Sequence, residues 1–334
     1  MANYTTIDDS SVYFQTTLYS GNATDNTAIT HGGNSDLEAD WTWIKCRSGA
    51  QAAQPHWIFD SVRGATKPLL TNGNNPEDTE GGSLKSWQSN GFTLGLNNEI
   101  NGGSSAYASW NWKESTTAGF DIISYTGTGS NIDLSHNLSA IPDWIMIKAR
   151  SGDDAWRIYS KAMGFANRLV LSEAGASSTN ALGLDSAPTS SVINIGTDTA
   201  CTNQNNKTYI CYAFKNVQGF SKFGTYKGNG NANGVFFFTG FKVGFVMIKK
   251  TDGSENWKIW DNKRPGFNLA DEYLLANDGQ AEADDGSFAS DFLSNGWKAR
   301  ATNGNFNASG GSYIYMAFAE NPFVTSTGVP ATAR

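Results

Sequence analysis

The side chains that most often carry out catalysis are few in this sequence and form no recognised catalytic pattern. The three histidines, His31, His56 and His136, have different neighbours, and none has the HExxH spacing of a zinc hydrolase. No GxSxG turn, which would present a nucleophilic serine, occurs in the chain. The histidines are therefore interpreted as structural, and the sequence predicts a protein that is not an enzyme.

Neighbouring carboxylates are the remaining candidates for chemistry. A glycosidase needs two acids held about 5–9.5 Å apart in a cleft. The acidic pairs of this chain lie in polar stretches that are not repeated elsewhere, so we interpret them as solvated loop charges. These pairs are Asp153 with Asp154, Asp271 with Glu272, and Asp284 with Asp285.

One loop-like stretch, 277–285, is rich in side-chain oxygen atoms and has the composition of a calcium-binding loop. It lacks the ligand order of an EF-hand, which makes it a weak candidate. Its ligands would be Asp278, Glu282, Asp284 and Asp285. No other metal and no cofactor is expected.

The three cysteines are Cys46, Cys201 and Cys211, and an odd number excludes a complete disulfide framework. Cys201 and Cys211 could pair across two strands. The first residues include no basic segment followed by an apolar one, so we expect no signal peptide. Without export, free buried thiols are favoured over a disulfide.

Composition narrows the choice of partners. The chain has 334 residues, a net charge of -7 and 39% apolar residues, of which aromatic residues make up a large share. An acidic protein binds the phosphate backbone of nucleic acids poorly. No apolar run in the sequence approaches the roughly 20 residues that span a bilayer. We therefore expect a folded protein that binds no nucleic acid and inserts into no membrane.

Several short motifs recur three times in the same order. Within each set of motifs the spacing is 99 to 104 residues, which indicates an internal repeat of about a hundred residues. The motifs are anchored at Lys45, Lys148 and Lys249, at Trp57, Trp156 and Trp257, and at Tyr107, Tyr209 and Tyr313.

The repeated motifs are short runs of Trp, Tyr, Ile and Val between clusters of Gly, Asn, Ser and Asp, a pattern typical of strands and turns. The sequence predicts an all-β fold of three tandem β-sandwich units of jelly-roll or concanavalin-like type. Short linkers favour close packing, with pseudo-threefold symmetry as one arrangement. The predicted boundaries are an N-terminal arm at 1–12, units at 13–115, 116–217 and 218–323, and a flexible C-terminal tail at 324–334.

The motif that ends in lysine is apolar on both faces of its predicted strand, which indicates burial on both sides. One interpretation is a central strand covered by a loop or by the next unit. The other is an apolar stripe that binds a neighbouring subunit or a ligand. The candidate contact residues are Trp41, Trp43, Trp144, Met146, Phe245 and Met247.

Strand alternation places three more aromatic residues on outward faces: Tyr159, Trp260 and Tyr315. Together with loops rich in Asn, Asp and Gly, these rings would suit a surface that stacks sugar rings. Contacts between units are the alternative role for the same side chains.

Three motifs carry a resemblance to a known family. They are Asp-Trp-Ile-Met-Ile-Lys ending at Lys148, Ser-Asn-Gly-Trp ending at Trp297, and Tyr-Ile-Tyr-Met-Ala-Phe-Ala-Glu ending at Glu320. This string resembles a repeat in virion proteins of marine tailed bacteriophages, and the resemblance covers roughly residues 13–323. It implies a tail, fibre or other structural protein of the particle.

The second unit departs from the pattern. Asp60 with Arg63 and Asp261 with Arg264 have no counterpart there, where Ser160 and Lys161 stand instead. A structural role, in which Asp and Arg brace a turn, tolerates this loss better than a ligand site would.

The resemblance and the missing catalytic motifs lead to one expectation. The chain would be a non-enzymatic virion protein on the particle surface, made in the host cytoplasm, as a tail fibre, tail-associated protein or capsid decoration. It would act in assembly or host attachment and contact other virion proteins, further copies of itself or a host glycan. The alternative is a module that binds or cleaves host polysaccharide, with Asp271, Glu272, Asp284 and Asp285 as the acids to test.

Overall fold

The computed structural model describes residues 4–179 and 182–332, so residues 1–3 of the predicted arm and 333–334 of the predicted tail lie outside it. Strands hold 41% of the chain and helices 4%, which confirms the all-β prediction. Short runs of β-branched and aromatic residues form the strands because such side chains pack well on a pleated surface.

The strands fall into three groups, which we call the first, second and third units. The first unit contains β1 (Phe14–Ser20), β2 (Thr27–Thr30), β3 (Trp41–Ser48), β4 (Trp57–Asp60), β5 (Leu69–Leu70), β6 (Leu84–Gln88), β7 (Gly91–Leu94), α1 (Asn98–Asn101) and β8 (Ala106–Trp112), after a 3-10 helix, Ser10–Val12. The second unit contains β9 (Phe120–Thr126), β10 (Ile132–Ser135), β11 (Trp144–Ala149), β12 (Arg157–Ser160), β13 (Asn167–Val170), β14 (Ser178–Thr179), β15 (Val192–Ile195) and β16 (Thr208–Phe214). The third unit contains β17 (Ser221–Lys227), β18 (Phe236–Phe238), β19 (Phe241–Lys250), β20 (Lys258–Asp261), β21 (Glu272–Leu275), β22 (Ala283–Asp284), a 3-10 helix (Gly286–Phe288), β23 (Ser290–Leu293), β24 (Gly296–Ala299), α2 (Gly304–Asn307) and β25 (Ser312–Pro322).

Each unit has a larger and a smaller antiparallel sheet. The larger sheets share one strand order: β1-β8-β3-β4-β5, β9-β16-β11-β12-β13-β14 and β17-β25-β19-β20-β21-β22. The smaller sheets are β2-β7-β6, β10-β15 and β18-β24-β23. The predicted unit boundaries fall in the connections between β8 and β9 and between β16 and β17.

Each larger sheet is buried on both faces. One face of all three larger sheets contributes to a single apolar cluster that includes Trp43, Met146 and Met247, which we call the common core. The opposite face packs against the smaller sheet of the same unit, as Tyr159 does with Ile193. The lysine motif is apolar on both sides because its strand lies between these two layers.

The register of β4 corrects the predicted alignment of the tryptophans. Met146 lies opposite Ile158 and Trp43 opposite Ile58, so His56 occupies the position of Trp156. Trp57 therefore faces the smaller sheet, whereas Trp156 and Trp257 belong to the common core. A shift of one residue reverses the face of every side chain on a strand, so the alignment of Trp57 with these residues is wrong.

The described residues of the N-terminal arm lie along the third unit. The Tyr4 hydroxyl donates to Gly240 O (2.7 Å), and Thr5 Oγ1 donates to Gln218 O (2.9 Å). Ile7 is buried in the common core. The arm therefore joins the start of the chain to the unit at its other end.

Candidate functional site

The six predicted contact residues of the lysine motif have no exposed surface: Trp41, Trp43, Trp144, Met146, Phe245 and Met247. Their neighbours come from other units of the same chain. The Trp41 ring lies 5.1 Å from that of Tyr212, and the Phe245 ring lies 5.6 Å from that of Trp112. Of the two interpretations, the structure describes the one in which a neighbouring unit covers the strand.

The outward placement of Tyr159, Trp260 and Tyr315 is wrong, since their exposed fractions are 0%, 0% and 4%. The smaller sheets cover the faces on which these residues lie. Tyr315 stacks on Phe237 with ring centres 4.0 Å apart. A sugar could reach these rings only if the sandwich opened.

The predicted calcium ligands are not gathered around a common point. The Glu282 carboxylate accepts hydrogen bonds from Arg47 (2.6 Å) and Arg264 (2.9 Å). Asp278 and Asp285 accept hydrogen bonds from backbone N–H groups of their own turns. Among the described residues, no group of three or more His, Cys, Asp or Glu is placed to hold a metal ion.

Two acids named for the glycosidase alternative lie opposite each other on paired strands, Glu272 on β21 and Asp284 on β22. Arg47 lies 3.6 Å from Glu272, between the first and third units. Burial raises the pKa of Glu272, and the charge of Glu282 adds to this effect. Glu272 thus belongs to an ion-pair cluster at a boundary between units, with Arg47 and Glu282.

All three cysteines are buried and free, so Cys201 and Cys211 do not pair. Burial raises the pKa of each thiol, most of all that of Cys211. A raised pKa keeps a thiol protonated at neutral pH and therefore unreactive.

The lysines that end the repeated motif form equivalent contacts at the three boundaries between units. Each side chain is fully buried, and burial lowers each ammonium pKa to about 8. Each ammonium donates to a backbone carbonyl of another unit, so the first unit bonds to the third, the second to the first and the third to the second. The bonds join Lys45 Nζ to Gly279 O (3.1 Å), Lys148 Nζ to Asn74 O (3.0 Å) and Lys249 Nζ to Ala174 O (3.1 Å).

A second set of contacts, made by tryptophan and histidine side chains, follows the same cyclic order. Trp156 Nε1 donates to Leu70 O (2.8 Å), and Trp257 Nε1 donates to Val170 O (2.9 Å). His56, which takes the equivalent place in the first unit, lies against the backbone of Leu275 in the third. The three units therefore close into a ring, which is held at every boundary by an equivalent lysine bond.

Buried carboxylates strengthen two of the three boundaries. The Asp60 carboxylate pairs with Arg63 and accepts a hydrogen bond from the Tyr212 hydroxyl (2.6 Å) of the second unit. Asp261 likewise binds Arg264 (2.7 Å) and accepts from Trp110 Nε1 (3.0 Å) of the first unit. Both carboxylates are fully buried.

The third boundary, between the second and third units, lacks both the acid and its donor. By strand register, Ser160 occupies the place of Asp60 and Asp261, and Met316 occupies the place of Tyr212 and Trp110. Met163 stands three residues after Ser160, where the other units have arginine. The missing Asp and Arg of the second unit are thus matched by a missing donor in the third, as a structural role requires.

An outer layer of ion pairs shows the same contrast. Glu77 binds Arg150 of the second unit (2.8 Å), as Glu282 binds Arg47. At the third boundary the corresponding contact is a backbone bond from Ser177 N to Thr251 O (2.8 Å). Two boundaries are therefore crossed by ion pairs, and the third is crossed by none among the described residues.

The connection between the first two units contains a carboxyl group with a raised pKa. Burial raises the pKa of Glu114 to about 7, and the nearby Asp121 and Asp40 add to the effect. Glu114 Oε1 accepts from Ile122 N (2.9 Å). In the connection between the second and third units, a side-chain amide takes the place of this carboxyl group: Asn216 Oδ1 accepts a hydrogen bond from Phe223 N (2.7 Å).

We expect Glu114→Gln to remove a pH dependence of stability. The folded state holds the Glu114 proton more tightly than the unfolded chain, whose pKa lies near the ordinary ~4.5, so stability falls as pH rises from about 5 to about 8. Solvent screening of this half-buried group limits the loss to about 1–2 kcal/mol. Urea unfolding at pH 5 and pH 8 should show a smaller loss for the variant. Equal losses in the two proteins would contradict the assignment, and Asn216→Asp should add a similar dependence.

The most exposed aromatic side chains all lie in the third unit. Phe236 and Phe238 alternate with buried Phe237 on β18 and are 42% and 55% exposed, while Phe267 is 82% exposed. The sequence analysis missed them, although three consecutive phenylalanines are unusual on a strand that covers only one core. We call these three exposed residues the phenylalanine surface.

A groove of about 470 Å³ lies between β1 of the first unit and the end of β25. Its lining is largely neutral and polar, with Gln15, Thr17 and Asn34 on one side and Asn262 and Lys263 on the other. Gln15 is engaged by the backbone of Gly33, Ser11 and Ser35.

None of the described helices is long and apolar enough to cross a membrane.

These features define an all-β protein of packed sandwiches whose buried ionisable groups bind its units together. Residues 9–322 match the model of the family described as "Domain of unknown function (DUF7483)", and the chain belongs to that family. The matched segment includes all three larger sheets. No curated protein and no solved structure matches the chain.

Proposed function

We propose that the chain is a non-enzymatic structural protein of a bacteriophage virion. It would be displayed on the particle surface and would act in assembly or host attachment. The phage assignment rests on the resemblance of the motifs that end at Lys148, Trp297 and Glu320. The observation that carries the non-enzymatic role is the placement of the ionisable groups.

Groups that could act as acids or bases near neutral pH must be accessible to a substrate. Lys45, Lys148 and Lys249 have pKa values near 8, yet each is fully buried and bound to backbone carbonyls. His56 is buried against two tryptophan rings, and burial holds its pKa well below the ordinary range. These groups support a rigid scaffold rather than a reaction.

The phenylalanine surface is the part of the scaffold best suited to docking on another virion protein. Exposed aromatic rings are enriched in protein contacts because they bury much apolar area with few rotatable bonds. Phe236 and Phe238 stand on a paired strand, which holds them in place before a partner binds.

Purified particles test the proposal. Mass spectrometry should find the protein at a fixed ratio to other virion proteins, and antibody labelling in the electron microscope should mark the tail or the capsid. A triple change, Phe236→Ser, Phe238→Ser and Phe267→Ser, should reduce incorporation, whereas Leu96→Ser, a matched exposed apolar residue of the first unit, should not. Detection in infected-cell lysate alone, or release of oligosaccharides from host polysaccharide by the pure protein, would contradict it.

A further inference from the structure

A second cavity, of about 190 Å³, lies in the second unit and is lined by two arginines, Arg157 and Arg168. Arg157 is on β12 opposite Val170, and Arg168 is two residues from Val170 on β13. The two arginines therefore lie diagonally on the same face of the sheet. On this face the described smaller sheet has two strands, where its counterparts have three.

The guanidinium groups have donors without acceptors. Arg157 is 8% exposed, and its Nε has no hydrogen-bond partner, while Nη2 contacts Cys201 Sγ. Arg168 Nε is also buried without a partner. Neither arginine forms an ion pair with any described residue.

The described acid in the cavity lining does not pair with either arginine. Glu173 lines the cavity but is exposed to solvent and makes no ion pair with Arg157 or Arg168. Two like charges that lie close together on neighbouring strands destabilise a sheet, and a bound counter-charge relieves this repulsion.

The other units fill the same position differently. Register places Trp57 and Lys258 where the second unit has Arg157. Lys258 lies over the rings of Tyr273 (5.3 Å) and Phe288 (4.7 Å), which compensate its charge. A pair of guanidiniums whose Nε–H groups have no partner is thus particular to the second unit.

We propose that this cavity binds a small oxyanion: the carboxylate, sulfate or phosphate group of a ligand. A guanidinium presents Nε–H and one Nη–H along a single edge, which matches two oxygen atoms of such a group. Both arginines have an unpartnered Nε–H, and Arg157 Nη2 on the same edge also contacts Cys201 Sγ. The cavity volume exceeds the roughly 30 Å³ of a water molecule several-fold, enough for a tetrahedral oxyanion. This inference does not depend on the proposed virion role.

Isothermal titration of the full chain with sodium sulfate, sodium phosphate and sodium acetate, at constant ionic strength set with chloride, tests the proposal. Saturable binding of at least one of these salts is expected. Arg168→Gln should weaken it at least tenfold, and Glu173→Gln should strengthen it two- to fivefold by removing the one carboxylate among the described lining residues. Arg300→Gln, which removes an arginine paired with Asp291 outside the cavity, is the control with the same change in net charge and should leave affinity unchanged.

Arg168 is chosen over the more deeply buried Arg157 because its replacement disturbs packing less. The absence of saturable binding, or equal affinity in wild type and Arg168→Gln, would overturn the proposal. A sulfated oligosaccharide and its neutral counterpart then identify the source of the anion. Tighter binding of the sulfated chain than of free sulfate indicates an acidic saccharide, and equal affinity indicates a free anion.

Discussion

Replacing Arg63 with methionine should lower the free energy of unfolding by about 3–5 kcal/mol, the usual effect of breaking a buried ion pair. Arg63 binds Asp60, which is fully buried, and lies 3.3 Å from Glu77. Without the guanidinium, Asp60 retains the Tyr212 hydroxyl and loses its counter-charge. The loss can be measured by equilibrium unfolding in guanidinium chloride at neutral pH.

The chain contains its own control for this change. The second unit has Ser160 and Met163 at the places of Asp60 and Arg63, so the double variant Asp60→Ser, Arg63→Met copies a combination that already folds. We expect the double variant to recover at least half of the stability lost by Arg63→Met, since no uncompensated charge remains. Addition of Tyr212→Met, which copies Met316, should recover more. Equal stability of the single and double variants would show that the ion pair does not bind the boundary.

Replacing Trp112 with alanine should lower the free energy of unfolding by about 3–5 kcal/mol, as expected for a large ring removed from a packed core. Trp112 is 1% exposed, and its ring centre lies 5.0 Å from that of Phe14 and 4.5 Å from that of Trp41. It also contacts Phe245 and Phe318 of the third unit, at 5.6 and 5.4 Å. The change therefore weakens a unit and a boundary together.

The control for Trp112 is Trp87→Ala. Trp87 lies on β6 of the smaller sheet of the first unit, is half-buried and donates to Thr42 Oγ1 (2.9 Å). Because it lies away from the common core, we expect a loss of about 1–2 kcal/mol. Chemical denaturation monitored by fluorescence and circular dichroism gives both values. Comparable losses in the two variants would show that the common core contributes no more than a peripheral site.

Both predictions concern the boundaries, which make the units one body. The lysine bonds run in one cyclic order, and the N-terminal arm adds hydrogen bonds between the start of the chain and the third unit. A rigid ring presents its surfaces in a fixed relation to one another, which suits attachment at several points. The third boundary, between the second and third units, has no ion pair among the described residues, and we expect its opening to require least free energy.

The all-β character and the recurring strands followed from the sequence because they depend on local patterns. Motifs ending at Lys45, Lys148 and Lys249 predicted strands that the structure places as β3, β11 and β19. The cysteines were also interpreted correctly, since all three are buried and free. The alternation of side chains between the two faces of a strand can be predicted from consecutive residues alone.

Tertiary structure alone decided which faces are exposed and what binds each ionisable group. Tyr159, Trp260 and Tyr315 were misplaced because strand alternation separates two faces but does not reveal that a second sheet covers one of them. Burial depends on what packs against a strand, and here that partner is encoded far away in the chain. Arg47 meets Glu282 across 235 residues, and the two unpartnered Nε–H groups of Arg157 and Arg168 become visible only when neighbouring strands are seen together.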